Sequence, residues 1–262
     1  MSKLVLHFDI NGTITPVDTV EPGTKIENSN MVISKSVYGK VINNKWVLND
    51  NLYDDINSIT YYDHLRQLDK KTYKKVSFSF TESGEPGEIL HWMVDRLVDS
   101  MDKFLFNSFL DVFEEFPDAL IVFRTFGLDA DEVIHYLKTN EKTAHKFKTI
   151  IKGEFINKSS EYVLLLENNE LYVDMVNINK LIKTTKCHLA LKENFNYWND
   201  NNRNKANGKQ LLGDEEMIQI FFDDNDCVNV INDINTHNIK INTLHAMLDD
   251  KYYSKKIHDL LK

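Results

Sequence analysis

The chain has 262 residues, 42% of them hydrophobic and 27% charged, which suits one α/β domain or a core with a modest insertion and excludes wholesale disorder. A formal net charge of -9 argues against a dedicated nucleic-acid binder, which needs a basic footprint, although one local basic pocket remains compatible with it. Two cysteines, Cys187 and Cys227, are too few for a disulfide-stapled secreted domain and read as reduced thiols. The N-terminal residues MSKLVLHFDINGT carry no apolar run of signal-peptide length, and no stretch approaches about 18 apolar residues. A cytoplasmic protein without a membrane partner is therefore expected.

In chain order, Lys3 to Ile10 is a mostly apolar run closed by Asn11-Gly12, as in a buried strand. The β-branched residues around Gly39 and Asn43-Asn44 predict a hairpin within Ser29 to Val47, and Val76 to Phe80 alternates like a short strand. Pro86-Gly87 introduces a long predicted helix, Glu88 to Glu115, whose apolar positions Met93, Leu97, Met101, Leu105, Phe109 and Phe113 recur at every fourth residue. Pro117 ends it, and Ala119 to Phe123 is a second buried strand closed by Thr125 and Gly127. A helix over Asp129 to Lys148 follows, then two strands within Glu161 to Met175 around Asn168-Asn169, then a strand at His188 to Leu191. Gly208-Lys209 precedes a predicted short helix, and Met217 to Phe222 is an apolar strand running into Asp223-Asp224-Asn225-Asp226. Val228 to His237 reads as a helix, Ile239 to Leu244 as extended, and Tyr252 to Leu261 as a final helix.

Apolar strands alternating with helical segments predict a parallel sheet covered on both faces. Ligands of such sheets bind outside the carboxyl ends of the strands. That is where this chain puts FDINGT (Phe8 to Thr13), IVFRTFG (Ile121 to Gly127) and IFFDDND (Ile220 to Asp226). A carboxylate delivered by a rigid strand into a glycine turn suits nucleophilic work, and the turn offers backbone N–H groups to an anion. Paired acids at a second strand end supply hard oxygen ligands for magnesium. A hydroxyl can bind a phosphate oxygen, and a lysine can neutralise nucleophile and phosphoryl group together.

These motifs, in this order, resemble those of the haloacid dehalogenase superfamily. FDINGT is similar to its first motif, with Asn11 where family phosphatases carry a second Asp. The strand ending in Thr125 resembles the second motif and IFFDDND the fourth; Lys209 is the choice for the third, with Lys192 and Lys205 as rivals. The resemblance implies an α/β fold, a Rossmann-like three-layer α/β/α parallel sheet formed by residues 1–14 and 118–262, with 15–117 inserted as a cap. It implies that Asp9 attacks phosphorus and forms an aspartyl-phosphate, that Thr125 binds the phosphoryl group and that Lys209 stabilises both. Magnesium would be held by Asp9, the backbone carbonyl of Asn11, and Asp223 or Asp224. The expected partner is a small phosphorylated molecule.

Asn11 cannot titrate, so it can neither protonate a leaving group nor activate water. Slow hydrolysis, a long-lived aspartyl-phosphate, or a binding protein that has lost turnover are the three consequences, and Asn11→Asp is expected to raise turnover. Hydrolysis of a non-phosphate substrate through an Asp9 ester is a weaker alternative, since it needs no metal-binding acids. Arg124 reads as an ion-paired residue with a phosphate contact as the alternative, and His7 as a core histidine with a supporting role as the alternative. Trp46, Tyr53, Tyr61, Tyr62 and Trp92 read first as packing of the insertion and second as the lining of a substrate pocket. No histidine pair combines with a cysteine pair at zinc-site spacing, and there is no Gly-x-Ser-x-Gly elbow or Walker-type loop.

Overall fold

A computed structural model describes residues 2–16, 23–52, 57–156 and 162–262. The chain divides into two compact units, one of Met1–Ile14, Phe109–Ile241 and Tyr253–Lys262, the other of Thr15–Ser108 and Asn242–Tyr252. Residues 109–117, read from sequence as part of the insertion, thus belong to the first unit, and 242–252, read as core, to the second.

The first unit is built on an 8-stranded sheet in the order Thr236–Lys240, Met217–Asp223, Lys3–Phe8, Leu120–Thr125, His188–Lys192, Ile150–Phe155, Val163–Leu166, Leu171–Val173. Pairing is parallel as far as Ile150–Phe155, and the last two strands extend the sheet antiparallel. The central strands are apolar on both sides because both sides are covered. Val5, Val122, Leu189 and Leu191 share one cluster with Ile178 and Ile182 of the Met175–Thr184 helix. On the opposite side Phe8 meets Phe109 of the Asn107–Glu115 helix edge-on at 4.9 Å and Tyr253 of the Tyr252–Leu260 helix at 5.4 Å. Such ring pairs each add about 0.5–1.5 kcal/mol beyond the area they bury. The result is an α/β unit with a mostly parallel sheet flanked by helices. Within the described residues, no helix is long and apolar enough to cross a membrane.

Two predicted helices in this unit are strands. Lys209–Leu212 pairs in parallel with Val228–Ile231, and Thr236–Lys240 forms the edge of the main sheet. Asn232 and Asn235 take positive φ angles of 62° and 50°, which turns the chain between two extended segments and breaks the helical period. The helix predicted over Asp129 to Lys148 is shorter, Ala130–Thr139.

The predicted long helix is three pieces: a 3-10 turn at Glu88–Leu90, a helix at Trp92–Ser100 and the Asn107–Glu115 helix. Its periodicity was unbroken because both helices are amphipathic, but they serve different cores. Met93 and Leu97 are buried in the second unit, Phe109 and Phe113 in the first.

In the second unit the Lys25–Ser36 helix replaces the front of the predicted hairpin. Thr24 and Glu27 close a capping box at its start, with the Thr24 N–H donating to Glu27 at 2.7 Å. The hairpin itself is Tyr38–Ile42 with Lys45–Leu48, turned by Asn43 and Asn44 at φ 50° and 62°. Val76 to Phe80 is not a strand; the helix Tyr73–Ser77 runs into turns there. Trp46 and Tyr61 are buried against Phe80, at ring distances of 5.7 and 4.7 Å, and Tyr62 packs on Tyr73 at 5.0 Å. These rings form the unit's own packing. Trp92 is exposed, and Tyr53 lies outside the described residues.

Candidate functional site

Asp9 is the first residue beyond the Lys3–Phe8 strand, and its N–H donates to the Phe222 carbonyl at 2.9 Å. Asp223 ends the neighbouring strand on one side and Thr125 ends the neighbour on the other. Parallel pairing therefore brings the ends carrying all three to one edge of the sheet. After Asp9 the chain turns tightly, with the N–H groups of Thr13 and Ile14 both donating to the Ile10 carbonyl at 3.2 and 2.9 Å. The Thr13 hydroxyl accepts from the Asp224 N–H at 3.1 Å, which ties this turn to the acidic one.

Gly12 has a φ of 73°, and a Cβ there would lie 2.7 Å from Asp224 Oδ2. Only glycine allows both the turn and the approach of that carboxylate. Gly12→Ala is expected to cost about 1–3 kcal/mol in stability. Denaturant and thermal unfolding check it.

Lys209 opens its strand beside Cys227, whose carbonyl accepts the Lys209 N–H at 2.9 Å. Its side chain is 1% exposed, with Nζ 2.5 Å from Asp9 Oδ1 and 2.7 Å from Asp223 Oδ2. The Cys227 thiol also donates to Asp223 Oδ2, at 3.3 Å. Burial works against the Lys209 charge, but Asp223 and Asp9 more than offset it and hold the ammonium above its usual range. Asp9 is pushed the other way from a typical carboxylate. Burial raises its pKa, Asp223 and Asp224 raise it further, and the Lys209 ammonium does not compensate. The ammonium thus pairs with two carboxylates, Asp9 and Asp223, while one oxygen from each of Asp9, Asp223 and Asp224 lies within 4.8 Å of the others. A surplus of converging hard oxygen donors fits a divalent cation such as magnesium.

No family model, curated protein or solved structure matches this chain.

The other lysines stand apart from these acids. Lys192 pairs with Glu154 at 3.7 Å and Lys205 with Asp226 at 2.6 Å, both partly exposed. Thr125 is buried, and its hydroxyl oxygen accepts from the Gly127 N–H at 2.9 Å. Arg124 is buried too, but its guanidinium is ion-paired with Glu193 and donates to the Tyr162 hydroxyl at 2.9 Å and the Gln210 carbonyl at 3.1 Å. This network supports the ion-paired reading of Arg124 over the phosphate one. His7 is fully buried, 3.1 Å from Gln219 Oε1 and stacked on Phe221, and burial with the Arg124 charge pushes its pKa down to about 3. This environment supports the core reading of His7.

Asn11 does not stand alone. Its carboxamide donates to Asp129 Oδ2 at 2.7 Å, and Asp129 is 7% exposed. Sequence reading placed Asp129 only at a helix start. Its position four residues after Thr125, with Gly127 between, is the signal that could have drawn attention to it.

Proposed function

We propose that this chain is an enzyme of the haloacid dehalogenase type, a magnesium-dependent phosphatase or phosphotransferase acting on a small phosphate ester through Asp9. The observation that carries this reading is the Lys209 ammonium lodged between Asp9 and Asp223, with Asp224 completing a compact acidic cluster at the sheet edge. In this reading an Asp9 oxygen bonds to phosphorus while the bond from phosphorus to the leaving oxygen breaks, its electron pair going with that oxygen. Water, or an acceptor hydroxyl, then attacks the phosphorus as the bond from phosphorus to Asp9 breaks and returns Asp9 as a carboxylate; the attacking group's proton passes to solvent, which also protonates the departed oxygen.

Lys209 keeps positive charge beside the attacking carboxylate and the incoming phosphoryl oxygens, in a buried setting where such charge acts strongly. The Thr125 oxygen already accepts from Gly127, so its O–H is the part that donates to a phosphoryl oxygen. Held by Asp9, Asp223, Asp224 and the Asn11 carbonyl, magnesium would neutralise charge on the phosphoryl group. Both cysteines are free, which fits a reducing compartment such as the cytoplasm.

Asn11 has no acid to offer the leaving group. Turnover is therefore expected to rise steeply with leaving-group acidity, p-nitrophenyl phosphate outpacing phenyl phosphate and phenyl phosphate outpacing alkyl phosphates. A titratable group there would be worth about 10²–10⁴-fold and would flatten the series. The test is phosphate release from such a panel with magnesium and with chelator. Magnesium-dependent release graded by leaving group supports the enzyme. No release from any ester favours the second reading that Asn11 raises, a binding or regulatory protein on the same fold.

A further inference from the structure

The Asn11–Asp129 contact goes beyond the phosphoryl-transfer reading, although its catalytic consequence rests on Asp9 being the reacting carboxylate. Asp129 reaches the site because residue 127 is glycine. A Cβ there would lie 2.5 Å from Asp129 Oδ2, 3.3 Å from Asn11 Nδ2 and 3.5 Å from Thr125 Oγ1. Three polar side chains from two strand-end loops thus converge over one missing methyl group. A carboxylate oxygen accepts hydrogen bonds, so the Asn11 carboxamide must turn its NH2 toward Asp129. Its carbonyl oxygen lies in the same plane and points away from Asp129.

We propose that Asp129 is a positioning residue: it fixes the rotamer and orientation of the Asn11 carboxamide two residues from Asp9, so that position 11 presents an acceptor oxygen to the reacting groups. Positions 11 and 129 then form one exchanged pair, an amide standing where a carboxylate is expected and a carboxylate holding the amide. Asn11→Asp alone places two acceptor-only groups face to face. The simple gain expected from sequence requires a second change, Asp129→Asn, which restores a donor opposite the new acceptor.

The experiment compares Asp129→Ala, Asp129→Asn, Asn11→Asp and the double variant Asn11→Asp/Asp129→Asn, with p-nitrophenyl phosphate and magnesium. Asp129→Ala is expected to lower kcat about tenfold to a hundredfold with little change in KM, and Asp129→Asn to recover most of that loss, since an amide oxygen also accepts. Asn11→Asp is expected to fall below the parent protein, and the double variant to exceed both single ones. Two further readouts do not depend on turnover. The Asn11 side-chain amide signal in a spectrum of 15N-labelled protein should shift in Asp129→Ala, and the melting temperature lost in Asn11→Asp should return in the double variant. An unshifted amide signal, additive melting effects, or Asp129→Ala that melts earlier with kcat unchanged would overturn the proposal. If the parent protein hydrolyses nothing, the amide signal and the melting cycle still decide the pairing, while the phosphatase reading fails separately.

Discussion

Asp9→Asn is expected to abolish magnesium-dependent turnover, by at least about 10³-fold, without unfolding the protein. The side chain keeps its shape and can still accept from Lys209 Nζ, now 2.5 Å from Asp9 Oδ1. What disappears is the anionic oxygen that attacks phosphorus in the proposed reaction. Stability should move little, or upward. Burial, Asp223 and Asp224 all oppose the charge on Asp9 and raise its pKa in the folded state. A carboxylate with a raised folded-state pKa favours the fold below its ordinary range and weighs against it as pH rises. Near neutral pH the uncharged amide removes that burden. Thermal unfolding at pH 7 beside steady-state kinetics separates the two effects. Retained turnover would remove Asp9 from the chemistry, and collapse of the fold would mean that its charge is structural.

Lys209→Met is the second large effect. The ammonium is 1% exposed and touches Asp9 and Asp223, which are buried as well. Removing one partner of a buried ion pair leaves the other uncompensated and costs about 3–5 kcal/mol. Here two carboxylates are left with Asp224 nearby, so the variant should melt well below the parent protein. It should also gain more stability from magnesium than the parent does, because the ion would take over the lysine's charge as well as its own share. Turnover should be lost even where magnesium restores the fold. Unchanged melting would contradict the charge balance described for this site, and an equal response to magnesium would separate the lysine from the acidic cluster.

How far the sequence revealed this arrangement depended on burial. The strands near Lys3 to Ile10, Ala119 to Phe123, His188 to Leu191 and Met217 to Phe222 were legible because strands covered on both faces read as continuous apolar runs. The Thr236–Lys240 strand was not, because an edge strand of Thr, His and Asn carries no such run. Lys209–Leu212 and Val228–Ile231 pair with each other outside the main sheet, and four residues are too few to show a period. The break between Ser100 and Asn107 was invisible because both flanking helices keep the same spacing of apolar residues.

The same logic applies to the site. Asp9, Thr125 and Asp223 could be placed at neighbouring strand ends from the sequence because strand ends are legible wherever strands are. Lys209 was the choice in sequence with Lys192 and Lys205 as rivals, and burial and its two carboxylate contacts set it apart from them. Asp129 was missed because a carboxylate before a helix ordinarily serves the helix start, and nothing local shows that it turns back toward Asn11. Gly127 carries that information, but only in the folded chain.

The measurement that tests the central claim most directly is trapping of the phosphorylated protein. Protein mixed with 32P-labelled aryl phosphate and magnesium is quenched in acid and digested, and the labelled peptide is sequenced. The account predicts a magnesium-dependent label, released by hydroxylamine as an acyl phosphate is, on the peptide containing Asp9 and absent from Asp9→Asn. Turnover without a label, or a label that persists in Asp9→Asn, would contradict it.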